Sequence, residues 1–94
     1  MDQLAERLGI DLDSPTARLA QDLAAGDLEM TLALVSLRKA RGLTVEHVAE
    51  QMGRTHEQIR EFERLEEDPR LSTVRQYALV VGARIDHQVT DTRQ

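Results

Sequence analysis

Apolar positions recur at helical spacing along most of the chain, and capping residues, glycines and prolines punctuate them. Ser14-Pro15 reads as an N-cap followed by proline at the first helical position. Ala17, Leu19, Ala20, Leu23 and Ala24 then form an apolar stripe that ends before Gly26. The spacing predicts a helix over about residues 15–25. Asp27 is expected to cap a second helix reaching about residue 41, with Leu28, Leu32, Val35 and Leu37 on its core face. Arg38, Lys39 and Arg41 place cations at its negative end before Gly42. A third helix opens at Leu43-Thr44, carries Val45, Val48, Ala49 and Met52, and stops at Gly53. Thr55 with Gln58 three positions later is a capping-box pattern that starts a fourth helix, buried through Ile59 and Phe62. Leu65 to Leu71 reads as a loop. Ser72 is expected to cap a fifth helix, in which Val74, Ala78 and Val81 share a face before Gly82. From Arg84 to Val89 the period changes to two, which predicts a short strand with Ile85, His87 and Val89 on one face. Met1 to Leu8 reads as a further short helix ending at Gly9, too brief to be stable alone.

At 94 residues there is room for one core. Phe62 and Tyr77 are the only aromatics, so that core is built from aliphatic side chains. The chain has no cysteine, which removes disulfides, thiolate zinc sites and cysteine nucleophiles together. No unbroken apolar stretch, Leu32 to Val35 among them, comes near the length of a membrane span. Met1 to Asp13 lacks the basic head and apolar block of a secretion signal, so the expected location is the cytoplasm.

The net charge of −5 is not spread evenly. Residues 1–29 hold two basic and seven acidic groups, whereas residues 30–94 hold ten of each. The organisation expected is therefore an acidic N-terminal helical extension (1–29), a helical domain (30–83) and a C-terminal strand and tail (84–94). No nucleophile with a base, glycine-rich phosphate loop or cofactor motif is visible, so no enzyme and no cofactor are expected. His47, His56 and His87 lack metal-ligand spacing, and Glu57 with Glu61 is a solvated pair on an exposed face, so no metal is expected either.

The third and fourth helices, joined at Gly53-Arg54, have the spacing of a helix-turn-helix. Ala49 is small where the helices cross, and Gly53 can take the positive φ that reverses the chain. Several separate blocks then agree in order: Leu37-Arg38-Lys39-Ala40-Arg41-Gly42-Leu43-Thr44, Val48-Ala49-Glu50-Gln51-Met52-Gly53, Ile59, Phe62-Glu63 and Pro69-Arg70-Leu71-Ser72-Thr73-Val74. Over roughly residues 30–83 the chain resembles the Cro and phage-repressor (Xre) helix-turn-helix family. The acidic leader and Gly82-Ala83-Arg84-Ile85 resemble, more loosely, its antitoxin branch. The resemblance implies an all-α, five-helix repressor-like domain with an N-terminal helical extension and a short C-terminal β-strand. It also implies a transcriptional regulator that binds double-stranded DNA as a homodimer, or an antitoxin that neutralises a basic partner protein.

Carried over position by position, Arg38 and Glu63 match a pair that in relatives forms a partly buried ion pair linking the first helix of the motif to the recognition helix. His56, Glu57 and Glu61 match positions that reach base edges, and Arg60 shares their helix. Arginine can clamp guanine, glutamate can accept from cytosine N4, and histidine can donate to guanine N7 or to phosphate. Thr44, Arg54, Thr55, Arg64, Arg70, Ser72 and Thr73 supply hydroxyls, cations or helix-start amides for phosphates. Ile85, His87 and Val89 are expected to pair with the same strand of a second subunit.

Three departures from the family pattern matter. Val45 stands where relatives often have a glutamine that reaches DNA, and Leu65 where a glycine commonly ends the recognition helix. The loop that follows reads Glu66-Glu67-Asp68. Residues 44–71 hold four bases against eight acids, a sum of −4, which predicts weak or strongly salt-dependent DNA binding.

Overall fold

The computed structural model describes Ser14 to Arg93. Among the described residues there are four helices: α1 (Pro15–Ala40), α2 (Val45–Met52), α3 (His56–Arg64) and α4 (Leu71–Val81). The helix expected over Met1 to Leu8 lies outside the described residues.

α1 corrects the expectation of two helices divided at Gly26. It is one rod of 26 residues, about 39 Å long. A single interior glycine costs roughly 1 kcal/mol relative to alanine. Ala24, Ala25, Leu28, Glu29 and Met30 favour the helix on either side, whereas a break would leave two sets of helix ends to satisfy. The Ser14 hydroxyl accepts the Ala17 N–H at 3.1 Å and so caps the start. The chain divides into two units between Leu32 and Ala33, inside α1.

In the first unit Ala17 and Thr31 are buried, and the Thr31 hydroxyl donates to the Asp27 carbonyl at 3.0 Å. Leu19, Leu23, Leu28 and Leu32 are exposed. In the second unit, Leu34 and Arg38 continue the buried side of α1. Of the expected core face, Leu28 and Leu32 are thus corrected to exposed positions, while Val35 and Leu37 are half-buried beside the covered Leu34 and Arg38. α1 is apolar around much of its circumference, so periodicity alone does not select the face that is covered.

The second unit contains α2, α3 and α4, with α2 packed against both of the others. Its core is Val48 and Ala49 from α2, Ile59 and Phe62 from α3, and Val74, Tyr77, Ala78 and Val81 from α4. The Phe62 and Tyr77 rings meet at a centroid distance of 4.7 Å and an interplanar angle of 31°.

All four helices stop in the same way. After α1, Gly42 has a φ of 68° and the Leu43 N–H donates to the Arg38 carbonyl at 3.0 Å. After α2, Gly53 has a φ of 66° and the Arg54 N–H reaches back to the Ala49 carbonyl at 2.9 Å. After α4, Gly82 repeats this, with the Ala83 N–H donating to the Ala78 carbonyl at 2.8 Å. After α3 the left-handed position is Leu65, with a φ of 53°, and the Glu66 N–H donates to the Glu61 carbonyl at 3.1 Å. Leucine therefore occupies a conformation that its Cβ disfavours.

Two further expectations are overturned. α4 begins at Leu71 with Arg70 as its N-cap, and no side chain caps it. Ser72 lies within the first turn instead. The strand expected at Arg84–Val89 is absent among the described residues: no ladder forms there, and Val89 is 97% exposed. A strand exists through hydrogen bonds to a second strand, and every regular element described here is a helix, which satisfies its own backbone.

Candidate nucleic-acid interface

α2, the Gly53-Arg54 turn and α3 form a helix-turn-helix in which the starts of both helices are capped. The Thr44 hydroxyl accepts the His47 N–H at 3.0 Å. At α3 the cap is reciprocal: the Thr55 hydroxyl accepts the Gln58 N–H at 3.1 Å, and the Gln58 side chain accepts the Thr55 N–H at 2.9 Å. Each hydroxyl keeps its own proton for a further acceptor.

α3 is strongly two-sided. Ile59 and Phe62 bury its inner face, and Glu63 adds a polar clamp beside them. Arg38 donates to both carboxylate oxygens of Glu63, from Nε at 2.6 Å and Nη2 at 3.1 Å. Its remaining nitrogen, Nη1, donates to the Leu43 carbonyl at 2.9 Å. The Tyr77 hydroxyl donates to Glu63 Oε2 at 2.6 Å. One carboxylate thus joins α1, α3 and α4, and only 11% and 12% of the Arg38 and Glu63 side chains remain exposed. The hydrogen bond to Glu63 holds Arg38 above its ordinary pKa. Burial, reinforced by Glu63, pushes the Tyr77 hydroxyl well above the usual tyrosine range.

Tyr77 is the member of this cluster that the sequence reading missed. It lies three residues after Val74, on the stripe already assigned to the core, so its position was legible. Its hydrogen bond was not, because that depends on where Glu63 of another helix arrives.

The outer face of α3 carries the expected base-reading side chains. His56 and Glu57 are exposed, while Arg60 and Glu61 are half-buried along the same flank. Arg60 Nη2 lies 3.5 Å from Glu46 Oε1, a carboxylate in the first turn of α2. Arg64 Nη1 lies 3.1 Å from Glu66 Oε1 in the following loop, which holds the Arg64 guanidinium above its ordinary pKa.

The expected phosphate-binding residues fall into separate environments. Arg54 donates from Nη2 to the Thr73 hydroxyl at 3.2 Å. These two, with Gln58, Glu61, Asp68 and Arg70, line an open hollow of about 370 Å³. Thr73 is mostly covered, whereas Thr44, Thr55, Arg64, Arg70 and Ser72 are exposed. Ser72 stands in the first turn of α4. Glu57, Glu61 and Glu66 bring carboxylate oxygens within 4.8 Å of one another, with Arg64 as the adjacent counter-charge.

The residues expected to form a dimer strand do not join this site. Ile85 is half-buried, His87 and Val89 are exposed, and no partner segment lies beside them among the described residues. The tail is instead anchored upstream, where Arg41 Nη1 donates to the Val81 carbonyl at the end of α4. A Cβ on Gly82 would run into that guanidinium. No helix among the described residues is long and apolar enough to cross a membrane. Comparison with family models, curated proteins and solved structures gives no match for this chain.

Proposed function

We propose that this chain is a cytoplasmic, sequence-specific DNA-binding transcriptional regulator of the Cro and phage-repressor type, acting as a homodimer. The reading is supported above all by α3, a capped helix held from behind by Ile59, Phe62 and the Arg38–Glu63–Tyr77 cluster, with its opposite flank exposed. Such a rod can enter a major groove without reorganising its own core. Arg60, His56, Glu57 and Glu61 then face base edges, while Thr44, Arg54, Thr55, Arg64, Arg70, Ser72 and Thr73 surround the phosphates. Two-fold pairing would set two copies of α3 about one DNA turn apart, or a multiple of it. No reaction and no cofactor belong to this reading.

The decisive experiment is selection from a randomised duplex pool at two salt concentrations, with wild type and Arg60→Ala. The expected outcome is an enriched sequence whose identity changes at the position read by Arg60, with affinity falling as salt rises. Absence of any retained duplex at low ionic strength would reject it.

One observation favours a second reading. The motif surface from 44 to 71 sums to −4, which suits a basic protein better than a polyanion. In that case the chain is a protein-interaction module, an antitoxin whose acidic segments neutralise a basic toxin. Co-purification with a small basic protein encoded beside it, and retention of that complex after Arg60→Ala, would favour this reading.

A further inference from the structure

The four arginines between residues 44 and 71 are not equivalent. Arg60 and Arg64, on α3, each face a carboxylate supplied from outside that helix, Glu46 from α2 and Glu66 from the loop. Arg54 touches only a neutral hydroxyl, and Arg70 has no ion pair among the described residues. The two engaged arginines are the ones on the groove-facing flank, and the other two lie at its margin.

Both pairs are built to open. Each rests on a single oxygen and a single nitrogen, at 3.5 Å for Arg60 and 3.1 Å for Arg64. About half of every side chain involved is exposed, 40% and 53% for Arg60 and Glu46, and 55% and 47% for Arg64 and Glu66. Neither carboxylate takes part in the core or in a helix cap, so releasing the arginine leaves the fold intact. A guanine edge can engage a guanidinium through two acceptors, whereas Arg60 meets Glu46 through one oxygen at 3.5 Å.

We infer that Glu46 and Glu66 compete with DNA for the arginines of α3, so that binding is an exchange of carboxylate for base edge or phosphate. The inference rests on the DNA-binding reading above. Arg54 and Arg70 remain available for first contact with any duplex. Arg60 transfers only where the duplex offers more than Glu46 does, which makes Glu46 a determinant of discrimination. Arg64 transfers to phosphate, so Glu66 sets affinity for all sequences alike. Every exchange frees a carboxylate close to the DNA, which lowers affinity.

The test uses the full chain with Glu46→Gln, Glu66→Gln, the double variant and Glu50→Gln. Glu50 is exposed on α2, one turn beyond Glu46, and pairs with no arginine among the described residues, so it reports the general effect of removing an acid. Affinity is measured for the best and a scrambled duplex from the randomised pool across a salt series, with melting temperature to check folding. Glu46→Gln and Glu66→Gln should each tighten binding by about twofold to fivefold at low salt. Glu46→Gln should narrow the gap between best and scrambled duplex, whereas Glu66→Gln should leave that gap and steepen the salt dependence. Unchanged affinity in both variants, or the same gain from Glu50→Gln, would overturn the competition while DNA binding itself stands. If neither wild type nor the double variant retains a duplex, the DNA-binding reading fails and this inference with it.

Discussion

Two ion pairs hold side chains of α3, one shielded from water and one half-exposed, and the difference between them explains how the helix can be both fixed and available. Arg38 and Glu63 pair through two hydrogen bonds, as short as 2.6 Å, in a setting that excludes most solvent. Arg60 and Glu46 meet at 3.5 Å in a half-exposed one. The charges are the same in kind. Water decides their value, since a screened pair contributes little and a shielded pair broken on one side leaves a charge without solvation. The inner pair therefore sets where α3 lies, and the outer pair leaves its arginine exchangeable.

The sharpest way to break this contrast is to remove one inner partner. Glu63→Ala should cost about 3 to 5 kcal/mol, because Arg38 and the Tyr77 hydroxyl both lose their acceptor. Chemical denaturation measures it, and a loss below about 1 kcal/mol would show that the inner pair is no stronger than a surface one.

Tyr77→Phe is the next in size. It keeps the ring packed on Phe62 and removes only the hydroxyl, with an expected loss of about 1 to 2 kcal/mol. The same residue gives a pH signature. Its pKa is raised on folding, so its contribution is complete below the ordinary tyrosine pKa of about 10 and is lost as pH climbs above that value. Wild type should therefore lose stability on the alkaline side more steeply than Tyr77→Phe. Parallel melting curves from pH 9 to about 11 in the two proteins would contradict the assignment.

The end of α3 offers a smaller comparison. Leu65→Ala and Leu65→Gly both delete the side chain, but only alanine keeps a Cβ at a φ of 53°. The glycine variant should be the more stable of the two by about 1 kcal/mol. Equal stabilities would mean that the backbone relaxes there at no cost.

The smallest effect on stability belongs to the outer pair. Arg60→Ala should shift unfolding by less than about 1 kcal/mol while altering the selected DNA sequence. A large loss of stability would instead make Arg60 part of the scaffold.

The α2–turn–α3 geometry was legible because its signals are local. Thr44 and Thr55 as caps, Gly53 as the left-handed reversal, and the spacing of Val48, Ala49, Ile59 and Phe62 all act within a few residues. The Arg38–Glu63 contact came from the family resemblance, since no short-range rule links residues 25 positions apart. Gly26 misled because a breaker is only a modest penalty, outweighed by helix-forming neighbours on both sides. Ile85, His87 and Val89 misled because alternation describes a half-buried strand only when a second strand is there to pair with it.

What the chain determined alone was the placement of most helix ends and the two-sided character of α3, since capping, positive φ and amphipathic period need no distant partner. Tertiary structure decided which side of α1 is covered, which acid each arginine meets, and that Tyr77 shares the carboxylate of Glu63. Those outcomes depend on where separate helices bring their side chains, and on how much water is left between them when they arrive.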